Sequence, residues 1–297
     1  MHRASVCWSV ALVVLSGAVV QVASQDSAPL SVWVERQFKG WDNPLHTEFV
    51  VNGTTVDIFT SDTVVPVVDH IKPGWNTIVL KTTPQVPATR NNGLTVRVGP
   101  ARKEGSKIVM APVLWSFHNQ TDWRLEKDGR YSHPLGPNVT DVALTFKVYY
   151  AGLEREGGEL EAGDYVLVGK PTFKGWNSPV VATVWINGTP FNSFTTTERQ
   201  LIVTDLVKPG KNEIKLVSGR VPNAIKNNDV EFWIGGPAEW SVADRRFTVK
   251  PVVQFKAMQG WRQNRQTGQL ENPMKAGAEE IERVIPFMLK AVESGKE

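Results

Sequence analysis

Residues 69–80 read DHIKPGWNTIVL, and residues 205–216 read DLVKPGKNEIKL. The two stretches share Asp, Lys-Pro-Gly, Asn, Ile and Leu at the same places. Proline presets φ at the first central position of a turn, and glycine supplies the positive φ that a type II turn needs at the second. Asp69 and Asp205 stand three residues ahead of the lysine, as caps of a short turn. Beyond the turn, NTIVLKT and NEIKLVS alternate apolar and polar residues, the period of a strand with one buried face. Each stretch is a turn feeding a half-buried strand.

Outward from there the matches continue. Upstream, VVNGT at 50–54 answers WINGT at 185–189, and FKGWDNP at 38–44 answers FKGWNSP at 173–179. Downstream, Val86-Pro87 answers Val221-Pro222, Asn91-Asn92 answers Asn227-Asn228, and GPA at 99–101 answers GPA at 236–238. Weaker matches follow: Pro112 with Pro251, Trp123-Arg124 with Trp261-Arg262, and Pro134 with Pro273. So many ordered matches mark an internal duplication of a domain of about 110–120 residues, with insertions confined to loops.

Each copy reads as strand. EFVVNGTTVDIF at 48–59 is two β-rich runs joined by Asn-Gly, the pair that favours a type I′ hairpin turn. LTVRVG, KIVMAPVLWSF and FTVKPVVQF are further strands, punctuated by Gly and Pro. This rhythm predicts a mainly β protein of two tandem antiparallel β-sandwich, jelly-roll-like domains. The expected boundaries are 25–150 for the first repeat, a Gly- and Glu-rich linker at 151–163, and 164–271 for the second. A C-terminal helix is expected over 272–297. Asn272-Pro273 would open it, and Ile281, Val284, Ile285, Met288, Leu289 and Val292 would form its apolar stripe, interrupted at Pro286.

Residues 1–24 read as a cleavable export signal: Arg3, an apolar run over 10–20, then VQVAS and a cut near Ser24-Gln25. The run is too short for a span of about 20 residues, so no membrane span is expected in the mature chain. Cys7, the one cysteine, lies inside the signal. A cysteine-free mature chain excludes disulfides, thiolate metal sites and a cysteine nucleophile. These features point to a secreted or periplasmic protein, of bacterial type. Four Asn-x-Ser/Thr sequons, at Asn52, Asn119, Asn138 and Asn187, would matter only in a glycosylating host. The formal net charge of +3 carries no dense Lys/Arg cluster, which argues against nucleic acid as a partner.

The hairpin and turn together carry a resemblance. VWINGTPFNSFTTTERQLIVTDLVKPGKNEIKLV at 184–217 is similar to the galactose-binding-like jelly roll found beside many glycoside hydrolases. Asn187-Gly188, Asp205, Lys208-Pro209-Gly210, Asn212 and Ile214 fit that pattern. Asn52-Gly53, Asp69, Lys72-Pro73-Gly74, Asn76 and Ile78 fit it in the first copy. The resemblance covers about a quarter of the chain and implies a sandwich fold and sugar binding. Its residues are turn positions, so it carries over no ligand contact. An immunoglobulin-like topology stays open.

No catalytic motif emerges. The mature histidines, His46, His70, His118 and His133, all lie in the first copy and show no ligand spacing, so no metal and no cofactor are expected. Asp42 is replaced by Asn177 and Asp57 by Asn192, which does not suit an obligatory acid or base. The chain is therefore read as a non-enzyme. The candidate ligand contacts are recurring loop residues: Lys39, Trp41, Asn91, Asn92, Trp123 and Arg124 in the first copy, and Lys174, Trp176, Asn227, Asn228, Trp261 and Arg262 in the second. Flat indole faces stack on sugar rings, and Asn, Arg and Lys beside them hydrogen-bond hydroxyls. Trp33, Trp115, Trp185 and Trp233 fall inside strand patterns and read as core. The expected function is binding of a carbohydrate or envelope polymer. The alternative is a structural or assembly protein that contacts protein partners, or forms a homo-oligomer, through the C-terminal helix. A glycan-acting hydrolase or lyase, using copy-specific acids such as Glu126 or Asp128, ranks third.

Overall fold

Strands form where the sequence alternates, and they form twice in the same order. The first repeat runs β1 (Leu30–Arg36), β2 (Thr47–Val51), β3 (Thr54–Phe59), β4 (Thr63–Pro66), β5 (Gly74–Thr82), β6 (Leu94–Glu104), β7 (Lys107–Met110), β8 (Trp115–Asn119), β9 (Arg124–Leu125), β10 (Tyr131–Ser132) and β11 (Val142–Tyr150). The second runs β12 (Val166–Pro171), β13 (Ala182–Ile186), β14 (Thr189–Phe194), β15 (Arg199–Ile202), β16 (Gly210–Gly219), β17 (Val230–Gly235), β18 (Glu239–Ser241), β19 (Arg246–Thr248), β20 (Pro251–Ala257), β21 (Arg262–Gln263), β22 (Leu270–Glu271) and β23 (Glu280–Leu289). This computed structural model describes residues 28–36, 46–83, 94–119, 124–129, 131–132, 140–152, 159–171, 181–195, 197–219, 230–257, 262–263, 266, 270–271 and 280–290. Residues 1–24, expected to be an export signal, lie outside the described residues.

The strands make four principal sheets: β4-β1-β6-β7 with β8 also on β6, β11-β5-β2-β3, β15-β12-β17-β20, and β14-β13-β16-β23. The protein is all-β, with no helix among the described residues, and its four sheets are disposed as the blades of a four-bladed β-propeller. This corrects the expectation of two tandem β-sandwich or jelly-roll domains with a C-terminal helix, and with it the fold that the galactose-binding-like resemblance implied. Alternation along a strand states which face is buried, but it does not state how sheets are set against one another. The buried residues gather into two cores, each drawn from two sheets. Val34, Phe49, Ile78, Leu80, Phe117 and Phe146 belong to one. Leu167, Phe194, Ile214, Leu216, Phe232 and Phe255 belong to the other.

The expected C-terminal helix is the edge strand β23. It pairs antiparallel with β16 over ten residues, from Gly210 opposite Leu289 to Gly219 opposite Glu280. Ile281, Ile285, Phe287 and Leu289 are wholly or partly buried, while Val284, Pro286 and Met288 are exposed. The period is two. Proline is tolerated because β23 stands at the edge of its sheet, where one side of the strand needs no ladder bond. In the first repeat β11 pairs with β5 in the same way, Tyr150 opposite Gly74 and Val142 opposite Thr82. The copies therefore match through this strand as well, and β23 is the counterpart of β11.

The Asn-Gly and Lys-Pro-Gly turns are bolted together by one buried asparagine in each copy. Asn52 and Gly53 take φ of 51° and 83°, Asn187 and Gly188 take 50° and 83°, the pair of positive values that a type I′ turn requires. Gly74 and Gly210, at 102° and 90°, close the Lys-Pro-Gly turns. Asn76 Oδ1 accepts from Lys72 N (3.1 Å) and Asn52 Nδ2 (2.9 Å), and its Nδ2 donates to Lys72 O (2.7 Å) and Gly74 O (3.1 Å). Asn212 repeats the set with Lys208, Asn187 and Gly210, at 2.9, 2.8, 2.6 and 3.1 Å. Both asparagines are buried. Replacing either Asn76 or Asn212 by Ala strands several partners and is expected to cost about 2–3 kcal/mol in urea denaturation, with similar losses in the two copies. A cost under half a kcal/mol would show that water replaces these bonds.

The repeats meet where β11 runs beside β14. Ser193 is the hinge of the contact: its Oγ accepts from Tyr149 N (2.6 Å), and its carbonyl accepts from Trp115 Nε1 (3.2 Å) and the Arg199 guanidinium (2.9 Å). Thr195 Oγ1 accepts from Ser116 N at 2.9 Å. Trp115, Ser193 and Thr195 are fully buried.

Candidate functional site

The β18–β19 hairpin closes through Ser241, whose Oγ donates to Asp244 Oδ2 (2.8 Å) and accepts from Asp244 N (3.2 Å). Arg245 sits in this turn at a φ of 50°, a value rare outside glycine and asparagine. Strand registry then sets Trp240 opposite Phe247, their rings 5.2 Å apart and edge-on. Trp240 is 56 % exposed, the most exposed tryptophan among the described residues.

A second wall comes from the end of the expected linker. Gly163 N donates to Ala238 O (2.9 Å) and Ala238 N to Asp164 O (2.7 Å), which ties this segment to the base of the hairpin. Asp164 in turn accepts from Glu161 N (2.8 Å) and Thr204 Oγ1 (2.8 Å). The result is an open cleft of about 750 Å³ lined by Glu159, Leu160, Gln200, Trp240, Arg245, Arg246, Phe247, Thr248 and Val249. That volume lies within the range of small-ligand sites, roughly 300–1,000 Å³. An exposed indole, two guanidinium groups, an amide and a hydroxyl suit a ligand with apolar ring faces and many hydroxyl or anionic groups.

Most of the recurring loop residues fall elsewhere. Lys39, Trp41, Asn91, Asn92, Trp123, Lys174, Trp176, Asn227, Asn228 and Trp261 lie outside the described residues. Arg124 and Arg262 each open a two-stranded ribbon, β9–β10 and β21–β22, so the backbone carries the duplication there too. Of the four tryptophans read as core, Trp115 is fully buried. The others are half-buried in β1, β13 and β17, with Arg97 4.9 Å over Trp33 and Lys215 4.1 Å over Trp185. His46 Nδ1 pairs with Thr83 Oγ1 at 3.0 Å. No group of three or more His, Cys, Asp or Glu side chains converges among the described residues.

Sequence reasoning missed Trp240 and its cleft because it searched for what the copies share. The first copy answers this hairpin with the end of β6 and β7, which has no tryptophan. The available signal was the run EWSVADRRF itself, an aromatic on each side of a charged turn. Comparison with known proteins returns no matching family model, no matching curated protein and no matching solved structure.

Proposed function

We propose that this protein is a secreted or periplasmic binding protein that holds a carbohydrate or similar polyhydroxylated envelope polymer, without chemical change, in the cleft at the β18–β19 hairpin. The observation that carries this reading is Trp240, a large exposed aromatic braced by Phe247 and set between Arg245, Arg246, Gln200 and Glu159. Exposed tryptophan costs solvation unless a partner covers it, and the flat face of a sugar ring is such a partner. Binding is favoured over turnover because Glu159 is the one carboxylate among the described lining residues, whereas glycoside hydrolysis uses two.

The test is affinity electrophoresis and calorimetry against a polysaccharide panel. Trp240→Ala should weaken binding about 10- to 30-fold, roughly 1.5–2 kcal/mol, with the melting temperature unchanged. Undiminished binding by Trp240→Ala, with loss in a Trp41→Ala/Trp176→Ala variant, would move the site to the other loops. No binding to any polymer would remove the reading.

A further inference from the structure

The contact between the repeats is heterologous: the first repeat offers β11, and the second offers β14. Strand pairing gives each surface a counterpart at the far end of the chain. By register β3 stands where β14 does, and β23 stands where β11 does. The buried member of each pair lies at the internal junction. Phe191, Asn192 and Ser193 of β14 are buried, whereas Val56 and Asp57 are partly open and Ile58 is 46 % exposed. Tyr149 of β11 is partly covered, whereas its counterpart Met288 is 61 % exposed. Val284 of β23 and Val252 of the adjoining β20 are exposed as well.

Two edge strands bearing exposed apolar side chains, Ile58 on β3 and Val284 and Met288 on β23, are thus open at opposite ends of one duplicated chain. Their geometry is that of a contact the chain already makes within itself. Edge strands bearing exposed apolar residues are natural docking surfaces. A heterologous contact repeated between molecules generates a ring if the rotation closes and a filament if it does not.

We propose that copies of this chain associate head to tail, β3 with Ile58 of one copy docking on β23 with Val284 and Met288 of the next, as β14 docks on β11 within each. Ser193 and Tyr149 at the internal junction are replaced by Ile58 and Met288 at the external one. The part-buried bond from Tyr149 N to Ser193 Oγ has no equivalent there, because Ile58 offers Met288 N no side-chain acceptor, and the external contact is the weaker and the reversible one.

Analytical ultracentrifugation of the purified protein tests this. The wild type should sediment faster as its concentration rises from micromolar towards millimolar. Ile58→Glu and Met288→Glu, both on exposed side chains and so leaving the melting temperature unchanged, should each be monomeric. An equimolar mixture of the two variants retains one good interface per pair and should give a one-to-one dimer and nothing larger. A wild type that stays monomeric, a single variant that assembles undiminished, or a mixture no more associated than its components would each overturn the proposal.

Discussion

A chain ending at residue 279 will keep a folded first repeat and lose the second. It lacks β23, and with it the whole ladder on β16 and the buried Phe287 and Leu289. Burying each of those side chains contributes roughly 2–3 kcal/mol, and β16 would be left with an open edge over residues that are buried in the intact sheet. Against a net stability of about 5–15 kcal/mol for a small domain, these losses together are decisive. Limited proteolysis followed by mass spectrometry should find cleavage throughout 164–279 and protection of β1 to β11. The same truncation would have been mild had the segment been a helix lying outside the sheets. A protease-resistant second repeat in the truncated chain would contradict the strand pairing.

Trp115→Ala should be the most destabilising single substitution, by about 3–5 kcal/mol. The side chain is fully buried, packs edge-on to Tyr150 at 5.8 Å, and belongs to the first core while its Nε1 reaches Ser193 of the second repeat. Its removal opens a cavity and loosens the junction, so calorimetry should resolve two unfolding transitions where the wild type is expected to give one. Trp115→Phe separates the terms. It keeps most of the volume, and Ser193 O retains the Arg199 guanidinium. Its cost should be about 1–2 kcal/mol. A Trp115→Ala variant within 1 kcal/mol of wild type would mean that the two repeats barely depend on each other.

Much of the local structure was legible in residues. Asn-Gly and Lys-Pro-Gly encode specific φ values, and the chain adopts them in both copies. The terminal segment misled because Ile281, Ile285 and Leu289 are spaced by four, which fits a helical stripe and a strand face equally. The deciding positions were Phe287, which is buried, against Val284 and Met288, which are exposed along with Arg283. Two apolar residues on the open side of the strand blurred the alternation that marks a half-buried strand. The arrangement of the four sheets was not legible, because it depends on contacts between strands far apart in sequence. The site was least legible of all. Duplication drew the search to residues present twice, while the described cleft rests on a hairpin that the copies do not share.

The asparagine bolts have one more consequence, for the timing of folding against modification. Each hydrogen of the Asn52 amide is already committed, one to His70 O and one to Asn76 Oδ1, and Asn187 commits its own to Leu206 O and Asn212 Oδ1. Attachment of a glycan would replace one of those hydrogens. In a glycosylating cell these two acceptors are therefore closed once the turns lock, and a sugar added earlier would hold the turns open. Enzyme and fold would compete for the same nitrogen atom, and whichever acted first would exclude the other.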